Sequence, residues 1–248
     1  MKKYLLIIVL VIPTLSVAQD VQSIKFPSKD GLELTADLYM AHDNSAPLIV
    51  LFHQARWSRG EYQEIAPKLN MLGFNCIAVD LRSGGEVNGV KNESFLKAQQ
   101  EMKPTKYVDA YPDIEAAVSY AKEYYAEGKV IIWGSSYSSA LVLKYTGDNV
   151  DMVDAVLSFS PGEYFSKQGK SKTWISESAS NITQPVFITS AKGEKSSWSS
   201  IFAAIPSEQK VSFLPTSPGN HGSRALWSKF GDSVYYWNEV EKFLNNLK

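Results

Sequence analysis

The chain has 248 residues, 44% hydrophobic and 21% charged, with 15 Gly and 11 Pro, a balance that excludes a disordered, collagen-like or multi-span membrane polypeptide. Its 25 Lys and Arg against 26 Asp and Glu leave a formal charge of −1 with no long run of one sign, so no footprint for a polyanion exists and nucleic-acid binding is not expected. The lone Cys76 permits no internal disulfide and no Cys-rich zinc or redox motif, and at about 150 residues per domain the length fits one large domain, read as 19–248.

Met1-Lys2-Lys3, the apolar stretch Tyr4 to Ile12, Pro13 and the small-residue pattern Ser16-Val17-Ala18 read as a secretory signal peptide over 1–18, cut after Ala18. The apolar stretch is shorter than the roughly 20 residues that span a bilayer, so no stable membrane anchor is expected. No Cys lies near the cut to accept a lipid. The mature chain is expected in the periplasm or outside the cell.

Residues Val21 to Phe26 and the alternating run Leu32 to Tyr39 flank Lys29-Asp30-Gly31, which predicts an opening hairpin. Pro47 to Phe52 is a continuous apolar run, as a strand covered on both faces requires. Helical spacing at Tyr62, Ile65, Leu69 and Leu72 ends at Gly73, and Cys76 to Val79 is again buried-strand text. A helix from Pro112 to Ala126, a strand Val130 to Trp133 and a helix Ser136 to Tyr145 follow. Strands Ala155 to Phe159, Pro185 to Thr189 and Val211 to Leu214 come next, then a terminal helix from about Arg224 to Leu247. This alternation predicts an α/β fold, with a mostly parallel twisted sheet and helices on both faces. Only Val87 to Asp109 and Pro161 to Gln184 are long enough for a cap, which is therefore small or absent.

The most informative segment is Val130-Ile131-Ile132-Trp133-Gly134-Ser135-Ser136-Tyr137-Ser138-Ser139-Ala140-Leu141. A buried strand enters a cluster of very small residues and an apolar helix starts at once. Ser136 at the centre would sit on a sharp strand-to-helix turn, which demands small neighbours two positions away, and Gly134 and Ser138 supply them. The start of the next helix offers free N–H groups and the positive end of its dipole to an oxyanion.

This segment resembles the nucleophile elbow of the α/β-hydrolase superfamily, with Ser138 standing where G-x-S-x-G has its last Gly. Phe52-His53-Gln54-Ala55, after the third strand, is similar to that superfamily's oxyanion-loop motif, with Gln54 in place of Gly. The resemblance implies that the Ala55 and Tyr137 backbone N–H groups hold the oxyanion. Asp80 to Gly85 is similar to the D-x-R-G-x-G turn, with Asp80 structural. Glu194, nine residues beyond Pro185, stands where relatives carry the acid, and Asn220-His221-Gly222 supplies the base. The phrases Phe52 to Gly60, Val79 to Gly85, Ser158 to Gly162 and Pro185 to Glu194 look closest to dienelactone-hydrolase-like and serine-esterase members. The resemblance implies a sheet of about eight strands.

The chemistry explains the combination. A Ser hydroxyl is a poor nucleophile until an imidazole takes its proton, and that imidazole needs a carboxylate to fix its tautomer. Ser136, His221 and Glu194 can serve, in the order the superfamily uses. Glu163 is the rival acid. His42 is read as a loop residue, His53 as an oxyanion-loop scaffold and Cys76 as core. Trp57, Trp174 and Trp198, with Tyr137, fall near loops at the catalytic end and are candidates for a substrate pocket, against the plain reading as packing. Arg56, Arg59, Arg82 and Lys192 near the same end could favour an anionic substrate or be scattered surface charge.

The expected function is an exported serine hydrolase acting on a small-molecule carboxylic ester or lactone through an acyl-Ser136 intermediate. No metal or cofactor is expected. The alternatives are a peptidase or polysaccharide deacetylase on the same residues, or a non-catalytic exported binding protein, for which Gln54 and Ser138 argue.

Overall fold

The computed structural model describes residues 21–248, and the leader read over 1–18 lies outside them. Strands β1 (Gln22–Pro27) and β2 (Glu33–Tyr39) form the expected antiparallel hairpin, with Pro27 opposite Glu33. β3 (Leu48–Phe52), α1 (Ile65–Met71) and β4 (Asn75–Val79) come next, then the short strands β5 (Glu86–Val87) and β6 (Val90–Lys91). Helices α2 (Glu93–Gln100) and α3 (Tyr111–Tyr124) precede β7 (Val130–Ser135), α4 (Tyr137–Asp148) and β8 (Ala155–Phe159). The chain continues with α5 (Trp174–Ala179), β9 (Val186–Thr189), α6 (Lys195–Ala204), β10 (Lys210–Phe213) and α7 (Ser233–Asn245).

Eight strands form one open sheet in the order β1-β2-β4-β3-β7-β8-β9-β10, antiparallel at β1/β2 and β2/β4 and parallel from β4 to β10. This is the α/β-hydrolase architecture expected from the motifs. Successive side chains point to opposite faces, so a strand covered on both sides must be apolar throughout. Leu48, Val50 and Phe52 pack with Ile114, Val118 and Leu141 on one face, while Ile49 and Leu51 pack with Ile65, Leu69 and Val240 on the other. Cys76 is buried in the second of these layers, where desolvation pushes its thiol up.

The register positions the site. Phe52 lies beside Val79 and Gly134, Ser135 beside Phe159, Phe159 beside Thr189, and Thr189 beside Phe213. The strands therefore end together along one rim, where loops of a parallel sheet gather ligands.

Several elements differ from expectation. The terminal helix starts at Ser233 rather than near Arg224. Trp227 is the physical reason: extended at φ −68, ψ 138, it stacks on Trp57 and donates from Nε1 to Glu61 O at 3.0 Å, which leaves only a 3₁₀ turn, Ser223–Leu226, before it. Helices α2, α5 and α6 were not foreseen. The two candidate cap segments mostly lie against the main body. Ser94 Oγ accepts the Thr35 N–H at 2.9 Å, docking α2 on β2, and Gly147 of α4 comes so close to Ser178 O of α5 that no Cβ would fit.

Candidate active site

Ser136 is the single residue between β7 and α4, at φ 59, ψ −120. A non-glycine residue there is strained, by about 1–3 kcal/mol, and persists only where the surroundings over-determine it. They do so here. The Ser136 N–H donates to Phe159 O at 2.7 Å, and Ser136 O accepts the Ser139 N–H at 3.0 Å. A Cβ on Gly134 would lie 2.5 Å from Ser138 O and Ser139 Cα, so only glycine fits. Ser138, which replaces the motif's last glycine, is engaged rather than merely tolerated. Its Oγ accepts the Ser135 N–H at 2.9 Å and donates to Phe52 O at 2.8 Å, closing the turn onto the end of β3.

The loop after β10 brings His221 to the elbow. Its Nε2 lies 2.7 Å from Ser136 Oγ and its Nδ1 lies 2.6 Å from Glu194 Oε1. A carboxylate at Nδ1 fixes the proton there and leaves Nε2 as the acceptor facing the hydroxyl. Burial acts to raise the Glu194 carboxyl, but hydrogen bonds from His221 and Ser160 outweigh it and hold the group below its ordinary value. Such a chain can draw the hydroxyl proton onto the imidazole and stabilise the charge that results. The rival Glu163 is elsewhere: it accepts the Ile175 N–H at 2.9 Å and the Ser176 N–H at 2.8 Å, filling the open donors at the start of α5.

Opposite the elbow, His53 is fully buried in the loop after β3. Its Nδ1 lies 2.8 Å from Gln54 O, while Nε2 accepts from the Leu81 N–H at 3.0 Å and Asn92 Nδ2 at 3.1 Å. Burial lowers its pKa to about 4, so it is neutral scaffold. That scaffold holds the peptide that leads into Ala55. Tyr137 is the first residue of α4, so its N–H has no partner inside the helix. The Tyr137 ring stacks on Tyr107 at 4.7 Å and its hydroxyl donates to Ser83 O, fixing that end of the helix.

The three tryptophans do not form one pocket. Trp198 is core, 2% exposed, with Nε1 donating to Ser190 Oγ at 2.8 Å. Trp174 lines a cleft of about 530 Å³ with Arg82, Val108 and Tyr111, to which neither Ser136 nor His221 contributes. Trp57 stacks on Trp227 with ring centroids 5.1 Å apart. Aromatic residues at loop ends were spent on closing the core, because burying a ring gains more than leaving it at a rim. The basic group fares likewise. Arg59 is buried against Asp37 and Asp80, and Arg82 against Asp30 and Asp113. Lys192 Nζ donates to Thr216 O. Of the four, Arg56 alone is exposed with no side-chain partner among the described residues. Asp80, read as structural, accepts from the Arg59 N–H, Arg59 Nη1 and the Glu93 N–H.

Two residues were missed. Ser160, after β8, donates from Oγ to Glu194 Oε2 at 2.7 Å and accepts the Gly222 N–H at 2.9 Å, joining the acid to the His221 loop. Glu61 is fully buried beneath the elbow and oxyanion loop. Its signal was present: it lies four residues before Ile65 and eight before Leu69, on the apolar face of the helical spacing, where a lone acid must be hydrogen-bonded. No group of His, Cys, Asp and Glu fit to hold a metal ion occurs among the described residues.

The fold recurs in solved structures. The Pyrococcus furiosus esterase Pf2001 superposes with a TM-score of 0.67 at 17% identity, over 92% of both chains. A dienelactone hydrolase from Anabaena variabilis gives 0.69 at 11% identity, over 92% of this chain and 97% of that one. Est1E from Butyrivibrio proteoclasticus, solved with ferulic acid, gives 0.69 at 14% identity, over 90% and 98%. No curated protein sequence matches the chain. The family described as serine aminopeptidase, S33, matches residues 43–207, well over half of the sequence. The chain therefore belongs to that family, a branch of the α/β-hydrolase superfamily, and is a hydrolase.

Proposed function

We propose that the chain is an exported serine hydrolase that cleaves a carboxylic ester or lactone. The observation that carries the reading is the hydrogen-bonded line from Ser136 Oγ through His221 to Glu194, at 2.7 and 2.6 Å, on a strained elbow. His221 Nε2 takes the hydroxyl proton as Oγ attacks the acyl carbon, and Glu194 stabilises the imidazolium. The N–H groups of Ala55 and Tyr137 hold the oxyanion. Collapse of the tetrahedral adduct expels the alcohol, protonated by His221, and leaves acyl-Ser136. Water, deprotonated by His221, then releases the acid and restores the hydroxyl.

The esterase and dienelactone hydrolase structures of like fold favour an oxygen leaving group. The family's description favours a second reading, an aminopeptidase. That activity must also receive the substrate's ammonium group, and the Glu61 and Glu194 carboxylates near the elbow are already engaged internally.

The test is turnover of p-nitrophenyl esters, lactones, acetylated sugars and aminoacyl p-nitroanilides by the wild type and by Ser136→Ala. Ester turnover that disappears in the variant is expected. Turnover of the anilides alone selects the peptidase, and no turnover together with no fluorophosphonate labelling selects a binding protein. Export is tested by the mature N-terminus, expected at Gln19.

A further inference from the structure

Glu61 lies in the 3₁₀ turn Arg59–Tyr62, which follows the loop after β3, and its side chain is fully buried. Its Oε2 accepts the Gln54 N–H at 2.7 Å and its Oε1 accepts the Ser135 hydroxyl at 2.7 Å. Ser135 Oγ in turn accepts the Ser223 N–H at 2.8 Å, and the Glu61 carbonyl accepts the Trp227 indole N–H at 3.0 Å. Three of these ties end one or two residues from a group of the site: Gln54 precedes Ala55, Ser135 precedes Ser136, and Ser223 follows His221 by two.

We propose that Glu61 is a positioning residue: through Ser135 it clamps the oxyanion loop, the elbow and the His221 loop together, setting the spacing of the Ala55 amide, the Ser136 hydroxyl and the His221 imidazole. The inference rests on the acyl-serine reading above. A buried acid is costly, and a well-packed apolar residue of similar volume is often as stable or more so, so filling space does not account for a carboxylate here. A carboxylate has two oxygens that only accept. That matches the Gln54 N–H and the Ser135 O–H, which converge on it from two separate strand ends. Burial pushes the group up to about 7, against the pull of those two donors. Glu61 touches no reacting atom and acts through the backbone it holds. A displacement of about 1 Å in such a site costs on the order of 100-fold in rate.

The test uses Glu61→Ala, Glu61→Gln and Ser135→Ala in the full chain. It compares kcat and KM on p-nitrophenyl acetate, the rate of fluorophosphonate labelling at Ser136 read by mass spectrometry, and circular dichroism. Glu61→Ala and Ser135→Ala are expected to lose about 10- to 100-fold in both kcat and labelling rate, with KM within about twofold. Glu61→Gln keeps an acceptor for the Gln54 N–H and is expected to fall between Glu61→Ala and the wild type. Should Glu61→Ala fail to fold, Ser135→Ala, which removes one hydroxyl, carries the same test. Folded Glu61→Ala or Ser135→Ala with kcat and labelling rate within about twofold of wild type overturns the clamp and leaves the acyl-serine reading standing. A wild type that does not label at Ser136 overturns both.

Discussion

Ser138 Oγ lies 2.8 Å from the carbonyl oxygen of Phe52, so the residue two places after the elbow serine is bonded to the last residue of the neighbouring strand. Where the superfamily pattern has a glycine, this chain has a hydroxyl that also accepts the Ser135 N–H. The substitution therefore strengthens the turn rather than loosening it.

Ser138→Ala removes that acceptor and leaves the buried Ser135 N–H unpaired, a loss of about 1–3 kcal/mol. For a chain of this size each kcal/mol shifts Tm by about 2–4 °C. Thermal melting should show Ser138→Ala several degrees below wild type. An unchanged Tm would mean that the hydroxyl contributes nothing.

Ser136→Ala and Ser136→Gly should both lack ester turnover, yet differ in stability. Alanine keeps the penalty of φ 59, whereas glycine adopts such angles freely. The strain of about 1–3 kcal/mol exceeds the entropic cost of a glycine, about 0.5–1 kcal/mol. The glycine variant should melt above the alanine one, and the reverse order would show that the elbow stores no strain.

Glu194→Gln keeps the shape of the acid but presents a group that no longer fixes the imidazole tautomer or its charge. A loss in kcat on the order of 10⁴-fold is expected. Glu163→Gln should leave kcat unchanged and lower stability by about 1 kcal/mol through the start of α5. Steady-state kinetics on the pair distinguishes the two acids, and equal loss in both would contradict the assignment.

Glu61 gives stability a pH dependence. In the unfolded chain it titrates near 4.5, while burial, opposed by the Gln54 and Ser135 donors, holds the folded group near 7. Arg224, Tyr62 and Tyr137 also face it. Between those values the folded form binds more protons than the unfolded one. Its contribution is thus fully present below pH 4.5 and is lost as pH rises through 7, on the order of 3 kcal/mol in all. Glu61→Gln has no such titration. The Tm of wild type minus that of Glu61→Gln should be larger at pH 5 than at pH 8, and a constant difference would refute the shift.

The parts of this fold that repeat a local rule were legible. β3, β4 and β8 are apolar at nearly every position because both faces are covered, and the elbow advertises itself because only small residues tolerate its crowding. Ser136 could be picked out from the crowding its turn imposes, whereas Glu194 and His221 were picked out through the superfamily resemblance, and the structure brings both to Ser136 on one rim. Partners selected by three-dimensional proximity were not legible. Ser160 reads as one serine among many until β8 is set beside β9, where it meets Glu194. Trp198 and Trp57 stand next to loops in the sequence, and whether such a ring faces inward depends on neighbours supplied by distant segments, such as Trp227. The delayed start of α7 has the same origin.

The contact between His221 and Ser136 spans 85 positions of sequence, and the histidine sits past the last strand. On the acyl-serine reading, a growing polypeptide that ends before His221 has no base for the Ser136 alcohol. The hydroxyl would gain its partner only once the outermost strand has docked and the loop after it has closed over the rim, so completion of that loop would double as a safety catch.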